Sequence, residues 1–155
     1  MEVEIKEATL EYLKDIINFN KKLFEFEYKN FDKTLDCSWP PKNKEYFKNS
    51  IKGKDSLALV VLDKGKIIGY LIGNIKKAKN YRNIKKIAEL DNMFILPDYR
   101  NKGIGSLLCK RFLDWVKSRD VKRVRVVVSE KNKGAINCYK KCGFSEYNLI
   151  LEQDL

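Results

Sequence analysis

Residues 88–108 have the sequence Ala-Glu-Leu-Asp-Asn-Met-Phe-Ile-Leu-Pro-Asp-Tyr-Arg-Asn-Lys-Gly-Ile-Gly-Ser-Leu-Leu, and this stretch decides the fold. The pattern predicts a strand that ends near Leu96, because Pro97 cannot donate a hydrogen bond to a sheet. A turn then leads through Gly103 and Gly105, which let backbone approach a ligand without a Cβ in the way. The helix that follows has a positive N-terminus. These features together predict an anion site suited to a pyrophosphate.

The helix after the glycines is predicted to bury one face. Its apolar residues recur at helical spacing: Ile104, Leu107, Leu108, Phe112, Trp115 and Val116. The loop before it differs from two common phosphate-binding motifs. A dinucleotide fingerprint needs a third glycine where this chain has Leu108, and a P-loop would follow Gly105 with Lys and then Ser or Thr.

Two motifs carry a resemblance to a known family. Arg100-x-x-Gly103-x-Gly105 resembles the acetyl-CoA-binding signature of the GNAT superfamily of N-acetyltransferases. A second match lies downstream and consists of Asn132-x-x-Ala135-x-x-x-Tyr139-x-x-x-Gly143-Phe144. The two motifs span the donor-binding half of that family.

The resemblance implies both a fold and an activity. The expected fold is a single α/β domain over residues 1–155, with a mixed sheet of about six or seven strands and about four flanking helices. The expected activity is transfer of an acetyl group from acetyl-CoA, as co-substrate, to a primary amine of a small molecule or peptide. The amine would attack directly in a ternary complex.

The resemblance also implies a set of donor-binding residues. The pantetheine arm would pair like an added strand with backbone of Met93, Phe94 and Ile95, where an N–H could polarise the thioester carbonyl. The pyrophosphate would lie on backbone N–H groups of Arg100, Asn101, Lys102, Gly103, Ile104, Gly105 and Ser106. Asn132 matches a pantetheine-contacting asparagine, but it could equally cap a helix.

Three residues are candidates for catalysis. Tyr139 matches a tyrosine that protonates the leaving thiolate, although its spacing also suits a core residue. Glu89 and Asp91 are two apart on a strand and so share a face, and either could be the base. A bulge in this strand could change which of them faces the cleft. Val127 stands where some protein N-terminal acetyltransferases have a glutamate, which disfavours that subclass.

Composition limits the other classes of function. Apolar residues make up 44% of the chain and aromatic residues 12%, which favours a globular core. The first five residues form no signal peptide, and no apolar run reaches the ~20 residues that span a bilayer. A cytoplasmic protein without membrane contact is therefore expected.

The chain has no histidine, which excludes a Ser–His–Asp triad and a histidine-ligated zinc site, and no metal is expected.

The four cysteines form no Cys-x-x-Cys pair. Buried, reduced thiols are favoured over disulfides for Cys37, Cys109, Cys138 and Cys142.

Charge is distributed unevenly along the chain. The net charge is +11, yet residues 1–37 carry −3, so the remainder carries +14. A lysine-rich solvated surface explains most of this excess, and a basic donor half that attracts coenzyme A would explain the asymmetry. Two alternative functions follow: a CoA-binding regulator without turnover, and a basic nucleic-acid-binding protein. No nucleic-acid-reading motif is present, which disfavours the second alternative. A homodimer is left open.

The rest of the chain predicts further elements. In order, they are an edge strand over Val3–Ala8, a helix capped by Thr9 over Leu10–Tyr28, a shorter helix over Pro41–Gly53, hairpin strands over Leu57–Leu62 and Ile67–Lys77, a strand over Lys122–Ser129 buried on both faces, a helix over Gly134–Cys142 and a final strand over Glu146–Gln153. Four acids are interleaved with aromatic residues, namely Glu25, Glu27, Asp32 and Asp36. Such a group would suit binding of a cationic amine acceptor. The interpretation that they belong to a solvated helix end and loop is favoured over this one.

Overall fold

Apolar, β-branched runs form the centre of a single sheet in the computed structural model, which describes residues 1–155. The strands are β1 (Glu4–Glu7), β2 (Ser56–Asp63), β3 (Lys66–Lys77), β4 (Lys86–Ile95) and β5 (Val124–Val126). The helices are α1 (Leu13–Asn30), α2 (Trp39–Lys42), α3 (Lys44–Lys52), α4 (Ile104–Ser118) and α5 (Lys133–Lys141), with 3₁₀ turns at Leu10–Tyr12 and Pro97–Tyr99.

The strand order is β1-β2-β3-β4-β5. The first four strands pair antiparallel, and β5 pairs parallel to β4. The predicted α/β architecture with a mixed sheet is confirmed. The predicted number of strands, six or seven, is wrong because the sheet has five. There are five α-helices rather than four, since α2 forms a separate single turn.

Two hydrophobic layers cover the sheet. On one face α4 buries Leu108 and Phe112 against the strands. On the other face α1 and α3 bury Ile16, Phe19 and Phe47. Helices therefore cover both faces of the sheet. The helix α4 begins shortly after β4 ends.

The hairpin between β2 and β3 is confirmed. Lys64 and Gly65 both have positive φ, 48° and 79°. Such a two-residue turn matches the right-handed twist of the strands, and Gly65 adopts its conformation without strain.

Three details of the helices differ from the prediction. The Thr9 hydroxyl donates to Glu11 rather than capping a helix, so a 3₁₀ turn precedes α1. The helix predicted over Pro41–Gly53 is broken at Asn43, whose φ and ψ of −115° and 43° are not helical. Leu107 is 49% exposed because it lies off the stripe that α4 buries.

The C-terminal part of the sheet departs most from the prediction. The strand predicted over Lys122–Ser129 pairs only over β5, and Val127 beyond it is 72% exposed. It is not buried on both faces because β5 is the last strand of the sheet. The final strand predicted over Glu146–Gln153 is absent, since these residues have no sheet partner.

The four cysteines are free thiols, as predicted, but only Cys109 is buried, and the other three are half-buried. No helix combines the length and apolar character needed to cross a bilayer. No group of three or more acidic or cysteine side chains is arranged to hold a metal ion.

Candidate active site

A β-bulge at Asp91 shapes the middle of β4. Leu90 lies opposite Gly73 and Asn92 lies opposite Ile72, so Asp91 has no partner on β3. An extra residue of this kind interrupts the alternation of side chains along a strand. As a consequence, the neighbouring residues Asp91 and Asn92 both reach the same side chain on α3.

That side chain is Tyr46, which lies at the centre of a hydrogen-bonded group. The Tyr46 hydroxyl donates to Asp91 Oδ2 at 3.0 Å and accepts from Asn92 Nδ2 at 2.9 Å. Asn74 Nδ2, on β3, donates to the same Asp91 oxygen at 2.6 Å. We call these four residues the Asp91 cluster: Tyr46, Asn74, Asp91 and Asn92.

Two amide oxygens of the Asp91 cluster have no hydrogen-bond partner. The Tyr46 hydroxyl has one hydrogen and gives it to the Asp91 carboxylate, so Asn92 must use its NH₂ group toward Tyr46. Asn74 likewise must use its NH₂ group toward the carboxylate. Both Oδ1 atoms are buried and unpaired. Because a buried unpaired acceptor costs free energy, a donor that reached these atoms would stabilise the cluster.

Burial and charge separate the two carboxylates of β4. Burial raises the pKa of Asp91 above its ordinary value, and the Lys76 ammonium, 3.7 Å away, offsets only part of this effect. Burial also acts on Glu89, but hydrogen bonds from Lys76 at 3.0 Å and from Arg125 outweigh it and lower the Glu89 pKa. Glu89 is thus a doubly paired anion, whereas Asp91 is the better proton acceptor near neutral pH.

The loop that enters α4 presents a row of free backbone donors. No N–H from Asn101 to Ser106 donates to another backbone group, whereas the Arg100 N–H already donates to Pro97 at 3.1 Å. Asn101 and Gly103 have positive φ, 59° and 80°, which turns successive N–H groups toward one side. The first turn of α4 has no acidic residue. This loop therefore suits an anion.

The two glycines of the loop have different roles. A Cβ at Gly103 would meet nothing within 4 Å, so this position faces open space. A Cβ at Gly105 would lie 3.0 Å from Cys138 Sγ and 3.6 Å from Met93 Cε. Gly105 therefore lets α4 pack closely on β4 and α5, and only Gly103 has the open approach that both glycines were predicted to provide.

Arg100 fixes the loop to the end of β4. Its Nε donates to the Ile95 carbonyl at 2.8 Å. Its guanidinium lies 5.4 Å from the Phe26 ring and 5.3 Å from the Phe94 ring. The side chain thus connects α1, β4 and the anion loop.

The end of β4 has one open backbone edge. β5 pairs with β4 only as far as Leu90, while the pairing with β3 continues to Ile95. Leu96 N–H bonds to β3, and backbone groups alternate in direction, so those of Phe94 also face β3. The backbone groups of Met93 and Ile95 therefore face the gap between β4 and β5.

α5 packs against α4 beside the end of β4. Asn132 accepts a hydrogen bond from Ala135 N–H at 3.1 Å and caps α5, which is one of the two roles considered for it. Tyr139 is 9% exposed and belongs to the core cluster against which Met93 and Ile95 pack. Burial raises its pKa, so the hydroxyl stays protonated at neutral pH and can donate a hydrogen bond, but it is a weaker acid than an exposed tyrosine.

Of the four acids considered for a cationic acceptor, Asp32 and Asp36 lie in exposed turns, whereas Glu27 is half-buried and burial raises its pKa. Asp32 and Asp36 accept hydrogen bonds from Thr34 and Ser38 within exposed local turns. These hydrogen bonds lower the pKa values of both carboxyls. Their arrangement matches the favoured interpretation of a solvated loop.

Tyr46, Asn74 and Asn92 were not among the residues chosen from the sequence. Asn74 directly follows the apolar part of β3, and Asn92 follows two acids in the central strand. Polar residues in the interior of buried strands are the signal that could have identified these two. Apart from its hydroxyl, nothing local distinguishes Tyr46 from Phe47, the other aromatic residue of α3.

Comparison with known proteins identifies the family. The model of the acetyltransferase (GNAT) family matches residues 20–144, and the chain belongs to this family. An uncharacterized N-acetyltransferase of Methanocaldococcus jannaschii is 29% identical over 148 residues. The match covers 94% of this chain but only 62% of that relative's length.

Solved structures show the same fold. A mutant form of a Bacillus halodurans protein aligns with a TM-score of 0.87 at 21% identity, covering 98% of this chain and 99% of the other. A Clostridium acetobutylicum protein, described as a predicted acetyltransferase with acetyl-CoA, aligns with a TM-score of 0.78 at 17% identity, covering 99% and 96%. At these identities the likeness concerns the fold alone.

Proposed function

We propose that this protein is an acetyl-CoA-dependent N-acetyltransferase that acts on a primary amine by direct attack in a ternary complex. The observation that carries the proposal is the order of features along β4. A half-buried carboxylate with a raised pKa lies at Asp91, an open backbone edge follows at Met93 and Ile95, and the anion loop comes next. Base, thioester site and phosphate site would thus lie in sequence along one strand and loop.

The donor half of the site fits the shape and charge of acetyl-CoA. The N–H row from Asn101 to Ser106 would bind the pyrophosphate. The outward N–H groups of Met93 and Ile95 and the C=O of Met93 would pair with the amides of the pantetheine arm, while the Ile95 C=O accepts from Arg100. One of these N–H groups would then polarise the thioester carbonyl. The acetyl-CoA-bound structure from Clostridium acetobutylicum supports this choice of donor.

The Asp91 cluster fits the amine acceptor. A primary ammonium has three donors, and the cluster offers three acceptors: the Asp91 carboxylate and the unpaired Oδ1 atoms of Asn74 and Asn92. An amine with a pKa near ~10 is protonated at neutral pH and must lose a proton before it attacks. Asp91 would take that proton, directly or through one water. Glu89 remains the alternative base.

After Asp91 has deprotonated the amine, the acetyl group would pass directly from sulfur to nitrogen. The neutral amine nitrogen forms a bond to the thioester carbon and becomes positively charged. It then loses a second proton to solvent, and the carbon–sulfur bond breaks. The Tyr139 hydroxyl would give its proton to the departing thiolate and recover one from solvent. Asp91 would hold the proton taken from the amine until water removes it. The products are the acetylated amine and free coenzyme A.

A thiol-release assay tests the proposal. The full chain is incubated with acetyl-CoA and separately with polyamines, aminoglycosides, amino acids and peptides, while a thiol reagent follows the formation of free coenzyme A. We expect release with at least one amine, and loss of that release in Asp91→Asn. Tight binding of acetyl-CoA without release for any amine class would contradict the enzyme and favour a CoA-binding regulator.

A further inference from the structure

The connection between β3 and β4 concentrates positive charge. Residues 76–86 contain six lysines and arginines and no acid, in a chain whose net charge is +11. The Ala78 N–H donates to the Lys85 carbonyl at 2.9 Å and closes the base of the connection. Within it, the Arg82 N–H donates to the Lys79 carbonyl at 2.9 Å. These hydrogen bonds hold the basic side chains of the connection together at one end of the sheet.

A second basic segment lies beside this connection. The Arg123 carbonyl accepts from the Ala88 N–H at 2.9 Å, so Arg123 borders the start of β4. The Tyr147 ring lies 4.6 Å from the Arg123 guanidinium and 5.2 Å from that of Arg82. The ring thus lies against guanidinium groups from two separate segments and brings their charges close to each other.

Six basic residues of this region have no acidic partner. Lys76 and Arg125 pair with Glu89. Lys122 pairs with Asp120. The other six form no ion pair within the chain. We call these residues the basic surface: Lys77, Lys79, Arg82, Lys85, Lys86 and Arg123. Because neighbouring like charges repel one another, a bound polyanion would stabilise this end of the sheet.

A cavity opens on the basic surface. It has a volume of about 440 Å³ and is lined by every residue of the basic surface except Arg123. The one acid in its lining is Asp55, and that carboxylate already pairs with Arg119 at 2.9 Å. The cavity therefore presents an excess of positive charge to a ligand.

A second cavity adjoins the first and combines positive charge with aromatic rings. Its volume is about 360 Å³, and Arg82 lines both cavities. Arg123, Tyr81 and Tyr147 also line it, and it contains no acid. Tyr81 is 84% exposed and Tyr147 is 64% exposed. Exposed rings among unpaired cations are the combination that binds the bases and phosphates of single strands.

The basic surface lies at the opposite end of β4 from the anion loop. β4 runs from Lys86 to Ile95, and ten residues at ~3.3 Å each span roughly 30 Å. The anion loop follows the far end of this strand. The phosphates of coenzyme A on that loop therefore do not account for the positive charge at the start of β4.

We infer that the basic surface binds single-stranded nucleic acid. The lysines would pair with successive phosphates, and the Tyr81 ring would stack on an exposed base. Arg82 and Arg123 already lie against Tyr147, and the edges of their guanidinium groups would bind phosphate oxygens. A duplex hides the faces of its bases, and an acidic peptide has no bases to stack. The chain has no motif that reads bases, so binding would not depend on base sequence.

Fluorescence anisotropy with labelled single strands of about 20 nucleotides tests the inference, with RNA and DNA measured separately. At about 50 mM salt we expect a Kd of about 10 µM or tighter, and this affinity should fall steeply as salt is added. Binding of either strand supports the inference, and the tighter one identifies the source. Saturating acetyl-CoA should leave the Kd unchanged, because the anion loop lies at the other end of β4. Displacement by acetyl-CoA, or no saturable binding, overturns the inference.

A triple variant tests the charge of the basic surface. It combines Lys79→Gln, Arg82→Gln and Lys85→Gln. We expect binding at least about 10-fold weaker at low salt. The slope of log affinity against log salt should fall by about 2, because each phosphate contact of a single strand contributes about 0.7. Circular dichroism and thermal melting establish that the variant is folded.

A matched control removes the same charge elsewhere. It combines Lys14→Gln, Lys110→Gln and Arg111→Gln, three exposed residues that form no ion pair and line neither cavity. The control should keep the salt slope of the full chain. Equal losses of affinity in the two triple variants would show that net charge alone determines binding, and they would overturn the basic surface as the site.

Tyr81 separates stacking from charge. Tyr81→Ala should weaken binding by about fivefold or more without changing the salt slope, because it removes a ring and no charge. Tyr81→Phe keeps the ring and should bind like the full chain. Unchanged affinity in Tyr81→Ala would overturn the stacked base, and tighter binding of a duplex would overturn the single strand. Displacement of the strand by poly-glutamate at equal charge would favour an acidic protein and overturn nucleic acid as the partner.

Discussion

Substitution of Gly103 by aspartate or asparagine separates charge from strain at the phosphate site. Gly103 has a φ of +80°, and a Cβ there would meet nothing within 4 Å. Aspartate and asparagine are the side chains that tolerate this backbone conformation best, and they have the same shape. Their difference in acetyl-CoA affinity therefore reports the added negative charge.

The magnitude follows from Coulomb's law. A charge about 6 Å from a phosphate costs roughly 1 kcal/mol at an effective dielectric constant of about 50. Two phosphates double this to about 2 kcal/mol, which is roughly 30-fold in Kd. We expect Gly103→Asn to bind acetyl-CoA close to the level of the unmodified chain and Gly103→Asp to bind about 30-fold more weakly.

Titration calorimetry at low ionic strength measures both Kd values. The gap between the two variants should narrow as salt is added, because salt screens exposed charges. Thermal melting confirms that both variants are folded. Equal affinities for folded Gly103→Asp and Gly103→Asn would refute the placement of the pyrophosphate on this loop.

Two further substitutions test the leaving-group acid and the packing of β3 on α4. Tyr139→Phe should lower kcat by about 10²-fold, with the acetyl-CoA Kd unchanged, because the ring is kept and only the proton donor is lost. An unchanged kcat under conditions where chemistry limits the rate would make Tyr139 a core residue. A Cβ at Gly73 would lie 2.3 Å from Phe112 Cε2 and 2.9 Å from the Glu89 carbonyl oxygen. Gly73→Ala should therefore reduce the free energy of unfolding by about 1–3 kcal/mol in denaturant titrations. An unchanged free energy of unfolding would show that the neighbouring side chains move to accommodate the added methyl group. Gly134→Ala is its control, since no atom lies nearer than 4.0 Å, and it should be neutral or stabilising.

The loop between β4 and α4 could be predicted because its signals are local. Pro97 ends the strand by chemistry that needs no partner, and Gly103 has the left-handed conformation that glycine adopts without strain. The hairpin at Gly65 is predictable for the same reason. In each case the residues that determine the conformation are neighbours in the sequence.

The C-terminal strands could not be predicted because a strand needs an edge with which to pair. The alternation over Glu146–Gln153 is typical of a strand, yet the segment is unpaired in the chain. The valines after Lys122 predicted burial on both faces, but their exposure depends on what lies beside β5. Sequence periodicity describes the faces of a strand and not its neighbours.

The choice between Glu89 and Asp91 also depended on distant residues. The bulge at Asp91 arises from the register with β3, and the hydrogen bond to this carboxylate comes from Tyr46, 45 positions earlier in the chain. The ion pairs that lower the pKa of Glu89 come from Lys76 on β3 and from Arg125 on β5. The sequence predicted both candidates, and only the fold distinguishes their environments.

The most direct test of Asp91 as the base is the pH dependence of kcat/KM, measured with an amine that the thiol-release assay identifies. Because burial raises the Asp91 pKa, the deprotonated base disappears as pH falls through that value, and the rate falls with it. We expect Asp91→Asn to lose about 10²-fold in rate together with this acidic limb. Glu89→Gln should keep the limb but shift it to lower pH, because Lys76 would then pair with Asp91 alone. An acidic limb that persists in Asp91→Asn and disappears in Glu89→Gln would contradict the assignment.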